Sequence, residues 1–291
     1  YFADTDADGF GDPAAPMSAC SQPNGYVAND ADNCPTLPGV IGSPCDDGDP
    51  DTFLSQLNSS CTCVAVPQTG DYQSVGTGQW ELASTWEVFG GSTFAPAAFP
   101  PDSTSGWITI RAGHEVTVSS TRTADQVIVQ TNGTLTLAGS GILVVNDRIG
   151  DDVRVSGTIA LSTGVLDGFG SVVVRNGAQF IVNNSGRIQA NSVVNVEQGG
   201  TIAKTGINFL FFGGTINNAG TFNMNGGVLT NTSQTDPRIF NNLVGGVVNI
   251  NSWRLETLGW SLINMYNAGT INKNAGPFPK FIFSGDRWRN L

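Results

Sequence analysis

The second half of the chain repeats one pattern of hydrophobic and polar positions. Each repeat begins with a glycine, which is followed by a short stretch of alternating apolar and polar residues. Successive glycines of the pattern are 24, 20, 23, 20, 26 and 23 residues apart. A period in the low twenties is typical of a solenoid, in which each repeat forms one coil. The repeated glycines are Gly133, Gly157, Gly177, Gly200, Gly220, Gly246 and Gly269.

Each repeat predicts two short β-strands on either side of a turn. Val127–Val129 ahead of Gly133 is one example, rich in β-branched residues. No stretch has the sustained 3.6-residue period of an amphipathic helix. We therefore expect an all-β fold in which residues 105–291 form a right-handed parallel β-helix. The span from Ile108 to Phe283 predicts about seven or eight coils, roughly 35–40 Å long at about 4.8 Å per coil.

Asparagine is abundant in the repeats, at or next to the predicted turns. Stacked asparagines can form amide ladders, in which each side chain bonds to those in the coils above and below. A sugar-binding asparagine face is the functional alternative. The residues concerned are Asn183, Asn184, Asn195, Asn217, Asn218, Asn223, Asn225, Asn249, Asn251, Asn267 and Asn272.

Charge divides the chain into two parts. Residues 1–70 hold ten Asp and no Glu, Lys or Arg, so nearly all of the net charge of −11 lies there. Nucleic-acid binders need basic patches, so this segment argues against a nucleic-acid partner. Clustered carboxylates favour cations, Ca²⁺ in particular. No apolar run approaches the ~20 residues of a membrane span.

A calcium-loop pattern lies at the start of the acidic segment. Carboxylates occupy loop positions 1, 3, 5 and 9, and Gly9 at position 6 allows a sharp turn. The usual Glu at position 12 is replaced by Ala15, so a further ligand must come from Asp30, Asp32 or water. The alternative is an acidic, disordered linker. The loop ligands are Asp4, Asp6, Asp8 and Asp12 by side chain and Phe10 by its carbonyl.

All five cysteines lie within the first 63 residues, which predicts a disulfide-stapled segment and an oxidising compartment. No Cys-x-x-Cys occurs and His114 is the single histidine, so the spacing does not favour zinc. We expect Cys20 to pair with Cys34, and Cys45 to pair with Cys61 or Cys63. The odd cysteine is free or pairs outside the chain. Because the chain begins at Tyr1, inside a motif, we expect a processed product or a fragment of a longer secreted protein.

The acidic segment at the start of the chain, residues 1–66 (the head), resembles known calcium-binding repeats. The run from Asp4 to Asp12, followed by Asp32-Asn-Cys-Pro, is similar to thrombospondin type 3 repeats. The sequence from Tyr1 to Asp12 and the run that begins at Cys20 more specifically resemble stalk repeats in surface proteins of Bacteroidetes-type bacteria. The resemblance covers about 65 residues and implies a rigid, calcium-dependent spacer in residues 1–66. Only one full loop is present, whereas type 3 repeats occur in tandem. A companion repeat, Cys45 to Cys63, offers a second, weaker ion site at Asp46, Asp47, Asp49 and Asp51.

Residues 67–104 are predicted to be a linker and an N-terminal cap. The tryptophans and the following strand pair resemble the start of solenoid domains in the same surface proteins, and more loosely G8-type domains. A cap would cover the apolar end of the first coil. The tryptophans could instead stack on sugar rings, and His114 could be a base or metal ligand; we favour structural roles for all of them. The capping residues are Trp80, Trp86, Phe94 and Phe99.

Catalytic signals are sparse in the solenoid. Polysaccharide-cleaving enzymes need clustered carboxylates, often with Ca²⁺ and a basic residue. The sequence therefore favours a non-catalytic, extracellular structural or adhesive module, whose partners are other copies, further domains of a longer chain or surface glycans. A polysaccharide-binding or polysaccharide-degrading protein and a self-assembling fibre subunit are the alternatives. One charged cluster, read as turn charges or a structural calcium site, contains Asp147, Arg148, Asp151, Asp152, Arg154 and Asp167.

Overall fold

The chain forms two compact units, Tyr1–Pro67 and Gln68–Leu291, in a computed structural model. Each unit is described by itself. The described residues are 1–49, 52, 54–147, 151–183, 185–189, 192–206, 209–226, 228–231, 238–251, 255–256, 263–274, 281–282 and 287–290.

The first unit is rich in loops and poor in apolar core. Its three-stranded antiparallel sheet has the order β2-β1-β3, and β4 pairs with β5 in a separate antiparallel ribbon. Cys34 and Leu57 are its buried hydrophobic side chains among the described residues. Disulfides are the usual support for a unit with so small a core. The strands are β1 Phe2–Ala3, β2 Asp12–Pro16, β3 Tyr26–Val27, β4 Ser55–Leu57 and β5 Cys63–Ala65.

The second unit begins with short elements that belong to the solenoid sheets. β6 and β7 pair in parallel with the first solenoid strands, so the sheets begin before residue 105. β8 and β9 extend one sheet in antiparallel fashion. The elements are β6 Tyr72–Ser74, β7 Gly78–Gln79, a 3₁₀ helix at Ala83–Thr85, β8 Trp86–Phe89 and β9 Phe94–Pro96.

The rest of the unit is a run of short strands that visit three sheets in turn. The earlier strands are β10 Ile108–Ile110, β11 Glu115–Val118, β12 Thr121–Ala124, β13 Val127–Val129, β14 Thr134–Leu137, β15 Ile142–Val145, β16 Val153–Val155, β17 Thr158–Leu161, β18 Val165–Gly168, β19 Ser171–Val174, β20 Gln179–Val182 and β21 Arg187–Ile188. The later strands are β22 Val193–Val196, β23 Thr201–Lys204, β24 Phe209–Phe212, β25 Thr215–Asn218, β26 Thr221–Met224, β27 Val228–Asn231, β28 Arg238–Asn242, β29 Val247–Ile250, β30 Leu255–Glu256, β31 Ile263–Asn267, β32 Thr270–Lys273, β33 Phe281–Ile282 and β34 Arg287–Asn290.

These strands build a parallel β-solenoid of about six turns. From β10 to β29, every third strand pairs in parallel within the same sheet. The sheets are the first face (β10, β13 and onwards), the second face (β11, β14 and onwards) and the third face (β12 to β27). The predicted all-β fold and parallel solenoid are thus confirmed. The count of seven or eight coils and the right-handed sense stay predictions, and Phe283 lies outside the described residues.

Period-two alternation places one side of each strand in the core. Leu135 and Leu137 of β14 are fully buried, whereas Thr134 and Thr136, which alternate with them, are only partly buried on the opposite side. The repeated glycines serve close packing of turns: a Cβ at Gly157 would overlap the carbonyl oxygens of the preceding coil. Their regular recurrence is therefore a consequence of coils stacking backbone on backbone.

The tryptophans of the cap are buried and hydrogen bonded. Trp80 and Trp86 are 0% and 1% exposed, and their rings meet edge to face with centroids 5.0 Å apart. The Trp80 indole donates to the Pro101 carbonyl at 3.1 Å, and the Trp86 indole donates to the Trp80 carbonyl at 2.9 Å. Neither ring is available to stack on a sugar. Phe99 is 75% exposed, so its expected part in the apolar cover is wrong.

The predicted asparagine ladders are present along the later coils, but most of their residues lie within strands and not at the expected turns. Each rung donates from Nδ2 to the Oδ1 of the neighbouring coil at 2.7–2.9 Å. Asn183 instead accepts from the Thr205 hydroxyl, and Asn184 lies outside the described residues. The ladders within the described coils are Asn195–Asn217–Asn241, Asn218–Asn242–Asn267, Asn223–Asn249–Asn272 and Asn225–Asn251–Asn274.

Candidate metal site

The loop between β1 and β2 folds around its own carboxylates. Asp4 accepts the Asp8 N–H at 3.1 Å through Oδ1 and the Gly9 N–H at 3.2 Å through Oδ2. Asp8 accepts the Phe10 N–H at 2.8 Å. Gly9 has a φ of +89°, which glycine adopts without strain. The predicted sharp turn at this position is therefore present, and it brings alternate side chains to one side.

Three carboxylates converge in this turn. One oxygen from each of Asp4, Asp6 and Asp8 lies within 4.8 Å of the other two. Both oxygens of Asp6 are shielded from solvent, and neither makes a well-formed hydrogen bond within the described structure, although the backbone N–H groups of Asp6 and Asp8 lie near enough to lower its pKa slightly. Burial raises the pKa of Asp6, and the nearby charges of Asp8 and Asp32 raise it further. Crowded carboxylates of this kind are stabilised by a cation between them.

Asp32, from a distant part of the chain, is not among the three converging carboxylates, but its charge acts on Asp6 and it is the candidate fourth ligand. Its side chain is only 1% exposed, and its backbone N–H bonds to the Gly11 carbonyl at 3.1 Å. Oδ1 accepts the Cys34 N–H at 2.7 Å, whereas Oδ2 is buried without a donor in the described part of the chain. Because burying an unpaired carboxylate oxygen is costly, these residues fit a calcium ion bound by oxygen ligands.

The other predicted ligands are less well placed. Asp12 accepts the Ala14 N–H at 2.7 Å and lies outside the converging trio, and Asp30 is exposed. Asn29 was missed by sequence reasoning. Its Oδ1 accepts the Gly11 N–H at 3.1 Å, and its Nδ2 donates to the Gly9 carbonyl at 2.8 Å. Asn29 therefore holds the Gly9–Gly11 backbone in place. Because it is 18 to 20 residues from these glycines in the sequence, no local pattern identifies it.

The second predicted ion site does not assemble within the described residues. Asp46 accepts the Gly48 N–H at 2.9 Å, which closes a local turn. Asp47 accepts from the Thr52 hydroxyl at 2.7 Å, and this bond is the main reason that its pKa is lowered. The described carboxylates do not converge here as they do at the first loop. Asp51 lies outside the described residues, and Asp49 donates its N–H to Asp47 at 3.0 Å.

The disulfides differ in part from the predicted pairing. Cys34 pairs with Cys61, and Cys45 pairs with Cys63, with Cα–Cα distances of 5.3 and 5.9 Å. Cys45–Cys63 is one of the two pairings left open. The predicted Cys20–Cys34 pair is wrong, and Cys20 is an exposed free thiol. The β4–β5 ribbon carries the second half of the unit back towards the Asp32 loop, which puts Cys61 next to Cys34.

The charged cluster of the solenoid is engaged in local contacts. Asp151 lies 3.7 Å from Arg154 and 3.8 Å from Arg175, measured between charged atoms. Asp152 accepts from both the backbone N–H (2.7 Å) and the hydroxyl (3.2 Å) of Ser171. Asp167 accepts the N–H of the next residue at 2.8 Å. Asp147 is exposed, and Arg148 lies outside the described residues.

His114 lies in the turn between β10 and β11. Its Nδ1 is 2.9 Å from the hydroxyl of Ser74, which is fully buried and also accepts the Arg111 N–H at 3.0 Å. Since Ser74 belongs to β6, this contact joins the cap to the first solenoid turn. The expected structural role is consistent with this geometry.

Comparison with known proteins found no matching family model, no similar curated protein and no similar solved structure. Among the described residues, no helix has the length and apolar character that a membrane crossing requires.

Proposed function

We propose that this chain is a non-catalytic structural or adhesive module of an extracellular protein, with a calcium-stabilised head in residues 1–66 and a β-solenoid that supplies length and surface. Two observations support the calcium site best: the convergence of Asp4, Asp6 and Asp8, and the buried, unpartnered oxygen of Asp32, whose charge acts on Asp6. The two disulfides support an oxidising compartment.

The charges of the solenoid support a structural role. Catalytic carboxylates need free oxygens that face a substrate. Asp151 and Asp152 are instead used in ion pairs and in turn hydrogen bonds. A screen of acidic and neutral glycans for cleavage tests this proposal. Turnover that is lost in Asp152→Asn would overturn it.

Isothermal titration with Ca²⁺ tests the calcium site. Asp32→Asn should weaken binding about tenfold or more, since the affinity of a calcium site depends on its charged ligands. Asp30→Asn removes an equal charge from an exposed position and should leave binding nearly unchanged. EDTA should also increase protease cleavage within residues 1–49. Absence of Ca²⁺ binding at millimolar concentration would exclude the site.

Binding of neutral glycans is a second candidate function. Asn195, Asn217 and Asn241 form an outward row on the first face, and Tyr266 is next in register. Each ladder amide keeps one N–H and one lone pair, which suit sugar hydroxyls. A glycan array should then show retention that Asn217→Ala reduces; equal retention by the variant would count against this face.

A further inference from the structure

The candidate calcium site is hydrogen bonded to one of the two disulfides. Asp32 lies close enough to Asp6 for its charge to raise the pKa of that carboxyl, and its Oδ2 is buried without a hydrogen-bond donor among the described residues. Its Oδ1 accepts the N–H of Cys34 at 2.7 Å. Cys34 is fully buried and is bonded to Cys61, 27 residues further along the chain. One carboxylate therefore lies near the proposed ion site and also holds the backbone of a disulfide cysteine.

A second contact joins the same two features. Asp8 directs Oδ1 to the Phe10 N–H within its own loop, and its Oδ2 accepts the Gly39 N–H at 2.7 Å. Gly39 follows the turn that Cys34 begins, in which the Leu37 N–H bonds to the Cys34 carbonyl at 3.0 Å. Two carboxylates of the site thus hold the backbone of residues 34–39 at both ends.

We infer that cation binding and the Cys34–Cys61 disulfide are thermodynamically linked, so that each stabilises the other. This inference rests on the proposed calcium site. Without the cation, the charges of Asp6, Asp8 and Asp32 repel one another. This repulsion weakens the hydrogen bond from the Cys34 N–H to Asp32, because it favours movement of the Asp32 carboxylate away from the site. Without the disulfide, Asp32 is held in place at a greater cost in chain entropy, because a long loop is no longer closed.

The second disulfide provides a matched control. Cys45 and Cys63 close a shorter loop of 18 residues around the β4–β5 ribbon. No hydrogen bond in the described structure joins either cysteine to the four carboxylates of the site. Loss of this disulfide therefore removes a comparable staple from the same unit without touching the ion ligands.

Calcium titrations on three proteins measure the linkage. The Cys34→Ser/Cys61→Ser protein should bind Ca²⁺ at least about fivefold more weakly than the wild type, the lower end of ordinary coupling between sites. The Cys45→Ser/Cys63→Ser protein should stay within about twofold. Equal affinity in all three proteins would overturn the linkage and leave the calcium site standing. Equal weakening in both variants would also overturn it, since the effect would then be general to the unit.

A measurement on the wild-type protein avoids variants that fail to fold. In a glutathione buffer, two glutathione thiols reduce the disulfide to two cysteine thiols and form one glutathione disulfide. Alkylation and mass spectrometry then give the reduced fraction of Cys34 and Cys61. Linkage is reciprocal, so saturating Ca²⁺ should shift this equilibrium towards the disulfide by the same factor and leave Cys45–Cys63 unchanged. No shift, in a protein that binds Ca²⁺, would refute the linkage; absence of any Ca²⁺ binding would refute the calcium site itself.

Discussion

Lys204 is a charged side chain inside the apolar core of the solenoid. It is the last residue of β23, is fully buried, and pairs in register with Val182 and Met224, which are equally buried. Its ammonium donates to the Thr205 carbonyl, and more weakly, at 3.4 Å, to the Gly206 carbonyl. Burial lowers the pKa of Lys204, and no described carboxylate offsets that effect.

Replacing Lys204 by Met should stabilise the solenoid. Met has similar length, and Met already fills the equivalent position in the next coil. Desolvation of an ammonium costs several kcal/mol, which two carbonyl contacts only partly offset. We expect a gain of about 1–3 kcal/mol, by analogy with buried charges replaced by apolar residues. For a unit of this size, that gain corresponds to a rise in Tm of about 2–12 °C.

The pH dependence follows from the lowered pKa. Between the folded-state pKa and the unfolded value of about 10.4, the unfolded chain binds more protons at Lys204 than the folded chain does. The free energy of unfolding of the wild type should therefore rise with pH through this alkaline window. Below the folded-state pKa of Lys204, the full cost of burying its charge is present. The Lys204→Met protein should lack this contribution, so the difference between the two proteins should shrink as the pH increases.

Urea and thermal unfolding from neutral to alkaline pH, followed by circular dichroism, provide the assay. Lys273→Met is the control, because Lys273 follows Ile250 in the same register but is only half-buried. Its effect should be within about 0.5 kcal/mol. A Lys204→Met protein that is less stable than the wild type at every pH would refute the reasoning, since the carbonyl contacts would then outweigh desolvation.

Two further substitutions test the packing between coils. Gly157→Ala places a Cβ on the carbonyl oxygens of the preceding coil and should destabilise by about 1–3 kcal/mol in urea unfolding, whereas Gly76→Ala, in open space, should be tolerated. Asn242→Leu removes a buried rung and leaves its partner amides unsatisfied, at a cost of about 2–4 kcal/mol; the exposed rung change Asn251→Ala should cost well under 1 kcal/mol. Equal tolerance within either pair, measured as unfolding midpoint, would contradict these assignments.

The sequence by itself determined the solenoid, the presence of amide ladders and the sharp acidic turn at Gly9, whereas calcium binding at that turn stays a prediction. Each rests on local spacing: a period of two within strands, a period in the low twenties between coils, and alternate carboxylates around Gly9. The alternation within strands and the turn at Gly9 involve neighbours in sequence, and the ladders join residues 22 to 26 positions apart that the regular coil period brings together. The burial of the cap tryptophans could also be predicted from the sequence, because they directly precede the first coil.

Only the tertiary structure decided which distant residues meet. The partner of Cys34 is Cys61 and not the nearer Cys20, because the β4–β5 ribbon returns the chain to the Asp32 loop. The sequence leaves Asp30, Asp32 and water open as the further ligand, and only the structure separates the buried Asp32 from the exposed Asp30. These contacts span 18 to 31 residues in a segment without a periodic repeat, so no regular spacing in the sequence specifies them.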